Sequence, residues 1–432
     1  MASPAWRRAV IRRLAALAIA CPLAARGQEA RTPVQFPPAL QQGPVDLPPP
    51  LPAEPAGPSW DLPEFVLRSV GLYEEPTPEE KAKEAQRRFH WNFVPFVLTN
   101  PLIEFGVGVA SAGVFRIGEE ETRLSKFATN FLITVRKQIS VPVRTTIFFS
   151  GNDWSLVGYV NWSWFPSPTY GVGGNTSVAD ETIVDYGLVR LWQTVYHRVL
   201  GNLYCGVGAY FDRFYSVSSR GVPPGVTNPF TAYPYGTSGP YSNVGASVDL
   251  LYESRDNPVN ATRGYYASLT YRAFPTWLGS TTSWQSLYAN GRAYFGLPKP
   301  NVLAFWAYGW FSFGNTPYLN LPSIGSDPDA RSGRGYIEGR HIGKDLLYAE
   351  VEYRFHIWEF LGGAVGLNVH SVSQPETPGQ APNQPRFQYW WPAATVGLRA
   401  LVNRPTHANG LIEFGIGLDG SHGFYLNINE NF

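Results

Sequence analysis

Cysteine is nearly absent from this 432-residue chain, which has only Cys21 and Cys205. Residues 1–27 read as a secretory signal, so Cys21 leaves with it and no intrachain disulfide is expected. Charge is also scarce. Only 16% of residues are charged and the net charge is +1, too little for a nucleic-acid binder and too balanced for an electrostatic partner of either sign. No stretch reaches the roughly 18 uninterrupted apolar residues that a membrane-spanning helix needs. What the chain has in quantity is aromatic residues, at 15%, with 43 glycines and 38 prolines. That mixture suits a membrane barrel with interfacial girdles, and it also suits a large soluble β protein.

The front of the chain carries no core. Arg7, Arg8, Arg12 and Arg13 form a basic region, 14–25 a short apolar one, and Ala25-Arg26-Gly27 a cleavage site before Gln28. A lipoprotein box ending at Cys21 is the alternative. Residues 28–90 divide into a Pro-rich linker, with Pro48, Pro49, Pro50 and Pro52, and a short helix. Thr77 caps that helix, Pro78 opens it and Glu80 closes a capping box.

From residue 91 to 432 the pattern becomes one of repeated strands. The clearest runs from Leu347 to Ile357, where Leu347, Ala349, Val351, Tyr353, Phe355 and Ile357 alternate with Tyr348, Glu350, Glu352, Arg354 and His356. A period of two gives a strand with one apolar and one polar face. The strands are expected at 92–98, 103–116, 124–139, 142–150, 154–165, 182–199, 201–215, 243–254, 263–274, 282–297, 301–314, 344–357, 360–372, 389–402, 410–418 and 422–432. Long connections after odd strands alternate with short ones after even strands, as in a barrel threaded through an outer membrane. The even count places both ends in the periplasm.

One phase fits these strands. Leu303, Phe305 and Ala307 share a face, as do Leu287, Ala289 and Phe295, and Ile412, Phe414 and Ile416, while Arg292, Arg354, Arg399 and Glu413 point the other way. A cation at the lipid midplane costs about 2–4 kcal/mol, so the charges belong in the lumen. Strand 182–199 loses its alternation around Asp185 and Arg190, which points to a bulge or to a misplaced strand edge. Trp164, Trp277, Trp284, Trp390 and Trp391 fall where interfacial aromatics belong. A soluble sandwich or propeller accounts for neither the loop alternation nor Phe432, and no blade-length repeat is present. The fold class expected is all-β: a transmembrane antiparallel β-barrel of about sixteen strands.

Catalytic chemistry is not apparent. The glycines at 339 and 343 lack phosphate-loop spacing, and Gly171, Gly173 and Gly174 precede no helix. The histidines are scattered, Asp419, Ser421 and His422 sit on a tight turn, and Glu350 and Glu352 have no Ser or His nearby. The expectation is no enzymatic role, no cofactor and no metal.

Four segments resemble the barrel of the BamA/TamA-type outer-membrane assembly proteins, also called the bacterial surface antigen family. Ser254-Arg255-Asp256-Asn257-Pro258 leading to Thr262-Arg263-Gly264 is similar to that family's turn-and-strand signature. Arg334-Gly335-Tyr336 resembles its loop tip before the twelfth strand, and Glu352-Tyr353-Arg354-Phe355 the strand that follows. The last strand, with Phe424, Leu426, Ile428 and Phe432 assigned to lipid, resembles its sorting signal. Glu430 stands where an apolar residue is expected. The resemblance implies that the loop tip folds into the lumen and that Arg334 pairs with Glu352. Asn368 stands where the family carries an Asp that also receives that arginine, so this leg of the latch is expected to be weaker or absent. The resemblance covers 91–432 and not the family's periplasmic repeat domains, for which 28–90 is too short.

Function is therefore expected in outer-membrane biogenesis or protein insertion, in contact with outer-membrane lipid and with unfolded outer-membrane protein clients or an envelope partner. The alternative is a loop-plugged pore or a surface-exposed, partner-binding barrel.

Overall fold

The computed structural model describes Leu62 and residues 89–432, apart from 116, 119–121, 123–124, 222–226, 299, 329, 375–385, 404–406 and 429. The signal, the linker and the helix expected before residue 89 lie outside the described residues. The strands are β1 (Phe89–Leu98), β2 (Gly106–Phe115), β3 (Ser125–Thr134), β4 (Ile139–Phe148), β5 (Trp154–Trp164), β6 (Ser167–Thr169), β7 (Thr182–Leu200), β8 (Leu203–Ser219) and β9 (Tyr241–Glu253). They continue with β10 (Gly264–Phe274), β11 (Trp284–Leu297), β12 (Asn301–Gly314), β13 (Asp345–Trp358), β14 (Leu361–Val372), β15 (Trp391–Asn403), β16 (Ala408–Gly417) and β17 (His422–Ile428). Strand β6 is a three-residue addition to β7. The other sixteen form an antiparallel meander, each paired with its neighbour in sequence, and curl into a nearly closed barrel.

Alternation sets the wall. On β12, Ala304, Trp306 and Tyr308 are buried while Phe305 is 41% exposed. Inside, Trp306, Tyr308 and Tyr348 pack ring on ring, with centroids 5.6 and 5.0 Å apart along the series. The indole N–H of Trp306 is satisfied by Asn290 Oδ1 at 2.9 Å. Outside, Val396, Leu398, Ile412, Phe414 and Ile416 present an apolar band, which only a lipid solvent leaves without cost.

The pairing pattern fixes each inward row. Glu350, Asn368 and Ala393 are successive cross-strand partners, and Ala393 faces Gly417. One row over come Glu352, Gly366, Thr395 and Gly415, and then Arg354, Ala364, Gly397 and Glu413. Between the acidic face of β13 and Glu413 the inner wall is thus made of Gly, Ala and Thr with the single amide of Asn368, and forms a trough.

The expected bulge is present: the β7–β8 register shifts between Asp185 and Gly187. Beyond it pairing resumes at Asp185 and Ser218 and continues to Val184 and Ser219, so β8 runs past the expected limit at 215. The hairpin expected near 140 lies instead at 135–138, where Lys137 adopts φ +61° and its N–H reaches Thr134 O at 3.0 Å. The apolar run through Phe131, Ile133 and Val135 masked this turn. Trp277 and Trp390 are exposed at the rim. Trp284 instead stacks on Phe274 in the lumen, its N–H on Asn243 Oδ1, and the indole of Trp391 reaches inward to Gly174 O.

The meander closes incompletely. No β-ladder joins β1 to β17 among the described residues; the backbone bond from Leu426 N to Thr99 O, 3.2 Å, links the two ends.

Candidate functional site

The connection between β12 and β13, residues 315–344, enters the lumen. Tyr318 anchors its descending limb, with its hydroxyl 2.6 Å from Thr169 Oγ1 and its ring edge-on to Phe230. Asn320 Oδ1 accepts from Asn243 Nδ2 at 3.0 Å. Lower down, Asp327 Oδ2 accepts the backbone N–H groups of Arg331 (3.0 Å) and Ser332 (2.8 Å), which turns the chain toward its tip. The ascending limb closes on another loop, Gly173 N donating to Ile342 O at 2.7 Å.

Arg334, Gly335 and Tyr336 lie in the trough. Gly335 has φ +110°, and a Cβ there would stand 2.8 Å from Ala393 Cβ. The close approach and the left-handed backbone both require glycine. Its N–H donates to Tyr425 Oη at 2.9 Å. Tyr336 Oη donates to Pro392 O at 2.7 Å and accepts from Leu418 N at 2.9 Å.

The Arg334 side chain is 2% exposed and meets three carboxylates. Nη2 donates to Glu352 Oε2 at 2.8 Å and to Glu350, and Nη1 donates to Glu413. Tyr348 Oη donates to Glu350, and Asn431 Nδ2 lies 3.0 Å from each oxygen of Glu413. Glu352 is shared: its Oε1 accepts from Arg354 Nε at 2.7 Å. Three carboxylates around one guanidinium suit a confined lumen, where an unpaired charge of either sign costs several kcal/mol. Asn368 takes the opposite part from the one expected. Its Nδ2 donates to the backbone carbonyl of Arg334 at 3.0 Å, which fixes the main chain of the tip and not the guanidinium.

The stretch after β17 also differs from expectation. Phe424 is 49% exposed on the lipid face and Leu426 follows in phase, while the side chain of Ile428 is outside the described residues. Phe432 is not on that face. The strand ends at Ile428 and residues 430–432 turn into the lumen, where all three are buried. The Phe432 ring packs 5.3 Å from Trp306 and 5.2 Å from the Arg354 guanidinium, and its main-chain oxygen accepts from Arg354 Nη2 at 2.9 Å. Glu430 explains the turn. Kept in phase it would put a carboxylate in lipid; turned inward it accepts from Arg399 Nε at 3.0 Å and Asn409 Nδ2 at 2.6 Å.

Above the tip, His341 Nδ1 and His370 Nε2 are 2.8 Å apart, and the His341 ring stacks on Trp391 at 4.4 Å. Burial, reinforced by His370, pushes His341 down to about 2, so it is neutral here. No cluster of three metal-ligating side chains occurs among the described residues. Chemically the arrangement is a clamp: a buried ionic network that holds a loop and a chain segment against one wall.

Sequence reasoning brought Arg334, Gly335, Tyr336, Glu352 and Asn368 to one place, and the structure puts them together. It missed Glu350, Glu413, Tyr425 and Asn431 as partners, and the glycines that make room. The signal was present in Phe414-Gly415-Ile416-Gly417, where an outward apolar row alternates with inward glycine.

No protein-family model and no curated protein matches the chain. Solved structures do. BamA from Haemophilus ducreyi lacking POTRA domains 1-3 aligns with TM-score 0.52 and 14% identity, over 85% of this chain and 76% of that one. CdiB from Escherichia coli gives 0.53 and 9%, over 80% and 63%. CdiB from Acinetobacter baumannii gives 0.51 and 11%, over 79% and 60%. The match thus spans less than two thirds of either CdiB chain. At these identities the likeness is one of fold: an outer-membrane β-barrel of BamA and CdiB type.

Proposed function

We propose that this chain is an integral outer-membrane barrel, with both ends in the periplasm, that acts in envelope biogenesis by parting its β1–β17 seam beside another outer-membrane polypeptide. One observation carries the reading: neighbouring strands elsewhere in the barrel are joined by ladders, whereas β17 and β1 meet through a backbone bond at Leu426 and Thr99. Pro95 in β1 has no N–H to give to a ladder. Support comes from the sequence motifs that resemble outer-membrane assembly barrels and from a BamA-like fold.

The test is a seam staple. In a Cys205→Ser background, Thr99→Cys and Leu426→Cys would be oxidised to a disulfide across the seam. The barrel is then placed in liposomes with an unfolded outer-membrane β-barrel, and client folding is compared with empty liposomes. Acceleration by the reduced protein that disappears on oxidation is the expected result. Equal acceleration with the staple closed sinks the seam mechanism, and no acceleration in either state sinks the assembly role.

A second reading rests on the loop. With Arg334 buried against Glu350, Glu352 and Glu413, residues 315–344 act as a plug, and the barrel is a closed pore. Bilayer conductance that rises on Arg334→Ala favours it; unchanged conductance counts against it.

A further inference from the structure

The lumen contains a second seat, distinct from the trough of the loop tip. Arg399 and Asn409 take the carboxylate of Glu430, while Arg354 takes the main-chain oxygen of Phe432. Trp306 and Tyr294 take the ring, with centroids 5.3 and 6.4 Å away. These contacts suit a segment bearing a carboxylate two residues before an aromatic side chain. They read the side chains at both ends and the backbone at one.

This seat shares two carboxylates with the latch. Glu352 accepts from Arg334 on one oxygen and from Arg354 on the other. Glu413 accepts from Arg334 and from Asn431. Each shared group is at most 2% exposed, so water does not replace a partner that leaves. If residues 430–432 withdraw, Glu413 loses the amide of Asn431 and Arg354 loses the Phe432 main-chain oxygen. If the loop tip withdraws, Glu352 and Glu413 lose the Arg334 guanidinium, and the network that orients Arg354 and Asn431 becomes unbalanced.

We propose that the lumen has a peptide-segment site for a Glu-Asn-Phe-type sequence, filled in cis by residues 430–432, and that its occupancy and the seating of the loop tip stabilise each other through Glu352 and Glu413. The device stands whether or not the seam opens for a client. Coupling of this kind is reciprocal: whatever one segment does for the other is returned by the same factor.

Hydrogen exchange on the full chain in detergent, read by mass spectrometry on peptides spanning 326–338 and 424–432, tests both directions in one sample. Asn431→Ala is expected to raise exchange at least about fivefold in 326–338 as well as in its own segment, and Arg334→Lys to do the same in 424–432, as about 1 kcal/mol of coupling requires. Heat-modifiable gel migration confirms that each variant is folded. Where one is not, Glu413→Gln, which keeps the acceptor and removes the charge, takes its place and is expected to loosen both segments together. Exchange that rises only in the segment carrying the substitution overturns the proposal, as does a rise in one direction without the other.

Discussion

Gly417 lies beneath the phenol ring of Tyr336: a Cβ built on it would come within 2.5 Å of Cζ. The ring cannot slide away at little cost, because its hydroxyl is held between Pro392 O and Leu418 N. Gly417→Ala is therefore expected to unseat the loop tip at a cost of about 1–3 kcal/mol. Proteolysis within 326–338 should quicken and the heat-modifiable transition should fall. Gly291→Ala is the control, since a Cβ there meets nothing within 4 Å. Equal behaviour of the two variants would show that this contact does not seat the loop.

Asn368 tests the latch from the main-chain side. Asn368→Asp restores the residue type that the resemblance leads one to expect, yet it removes the donor to Arg334 O and adds a fourth carboxylate beside Glu350, its cross-strand partner. Loss of one buried hydrogen bond costs about 1–3 kcal/mol before the charge is counted. The variant is expected to be less stable than the parent at pH 7. A more stable variant would mean that its carboxylate captures the guanidinium after all.

Phe432 separates packing from recognition. Phe432→Ala empties a buried space against Trp306 and should cost the folded barrel about 3–5 kcal/mol. Chemical denaturation of purified, lipid-refolded protein measures this. Phe424→Ala, on the lipid face, leaves the lumen contacts intact and should move the transition less. If Phe432 served only as an assembly signal, the purified variant would unfold where the parent does.

Glu338, in the lumen loop, gives a pH dependence. Burial, with Asp327 adding to it, pushes its carboxyl from 4.5 up to about 8. The folded loop thus binds this proton more tightly than the unfolded chain does. Its stabilising effect is full below about pH 4.5, declines as pH rises and is gone above about 8. Hydrogen exchange in 326–338 should therefore speed up between pH 5 and 8 beyond the intrinsic rise, and Glu338→Gln should remove the excess. An identical pH profile in the variant would rule Glu338 out as the source.

Much of the wall could be read in the sequence because a two-residue period is local. Leu347 to Ile357 declares its two faces without help from any other strand. The β3–β4 turn could not be read so well, because Val135 prolongs the alternation of Phe131 and Ile133 one residue past the end of β3. The site divides in the same way. Arg334 and Glu352 were found through short motifs. Glu413 was correctly turned inward, but its partnership with Arg334 depends on the register across β13, β14, β15 and β16 and on a loop reaching in from above. A two-residue period continued past Ile428 puts Phe432 on the lipid face, but the chain leaves the sheet there and the ring is buried in the lumen. The carboxylate of Glu430, out of place on a lipid face, marked that departure.

The anchors of Arg334, Gly335 and Tyr336 fall on β13, β14, β15, β16 and β17 and on the turn that follows β16. The tip of the loop is therefore a brace fixed to β13–β17, while its upper limb is held on the β6–β9 side by Thr169 and Asn243. Should the seam part, its two lips would not be mechanically equal. The β17 lip is tied back to the wall by the loop and by residues 430–432, and would behave as a door frame. The β1–β2 hairpin, outside that brace, would be the leaf that swings.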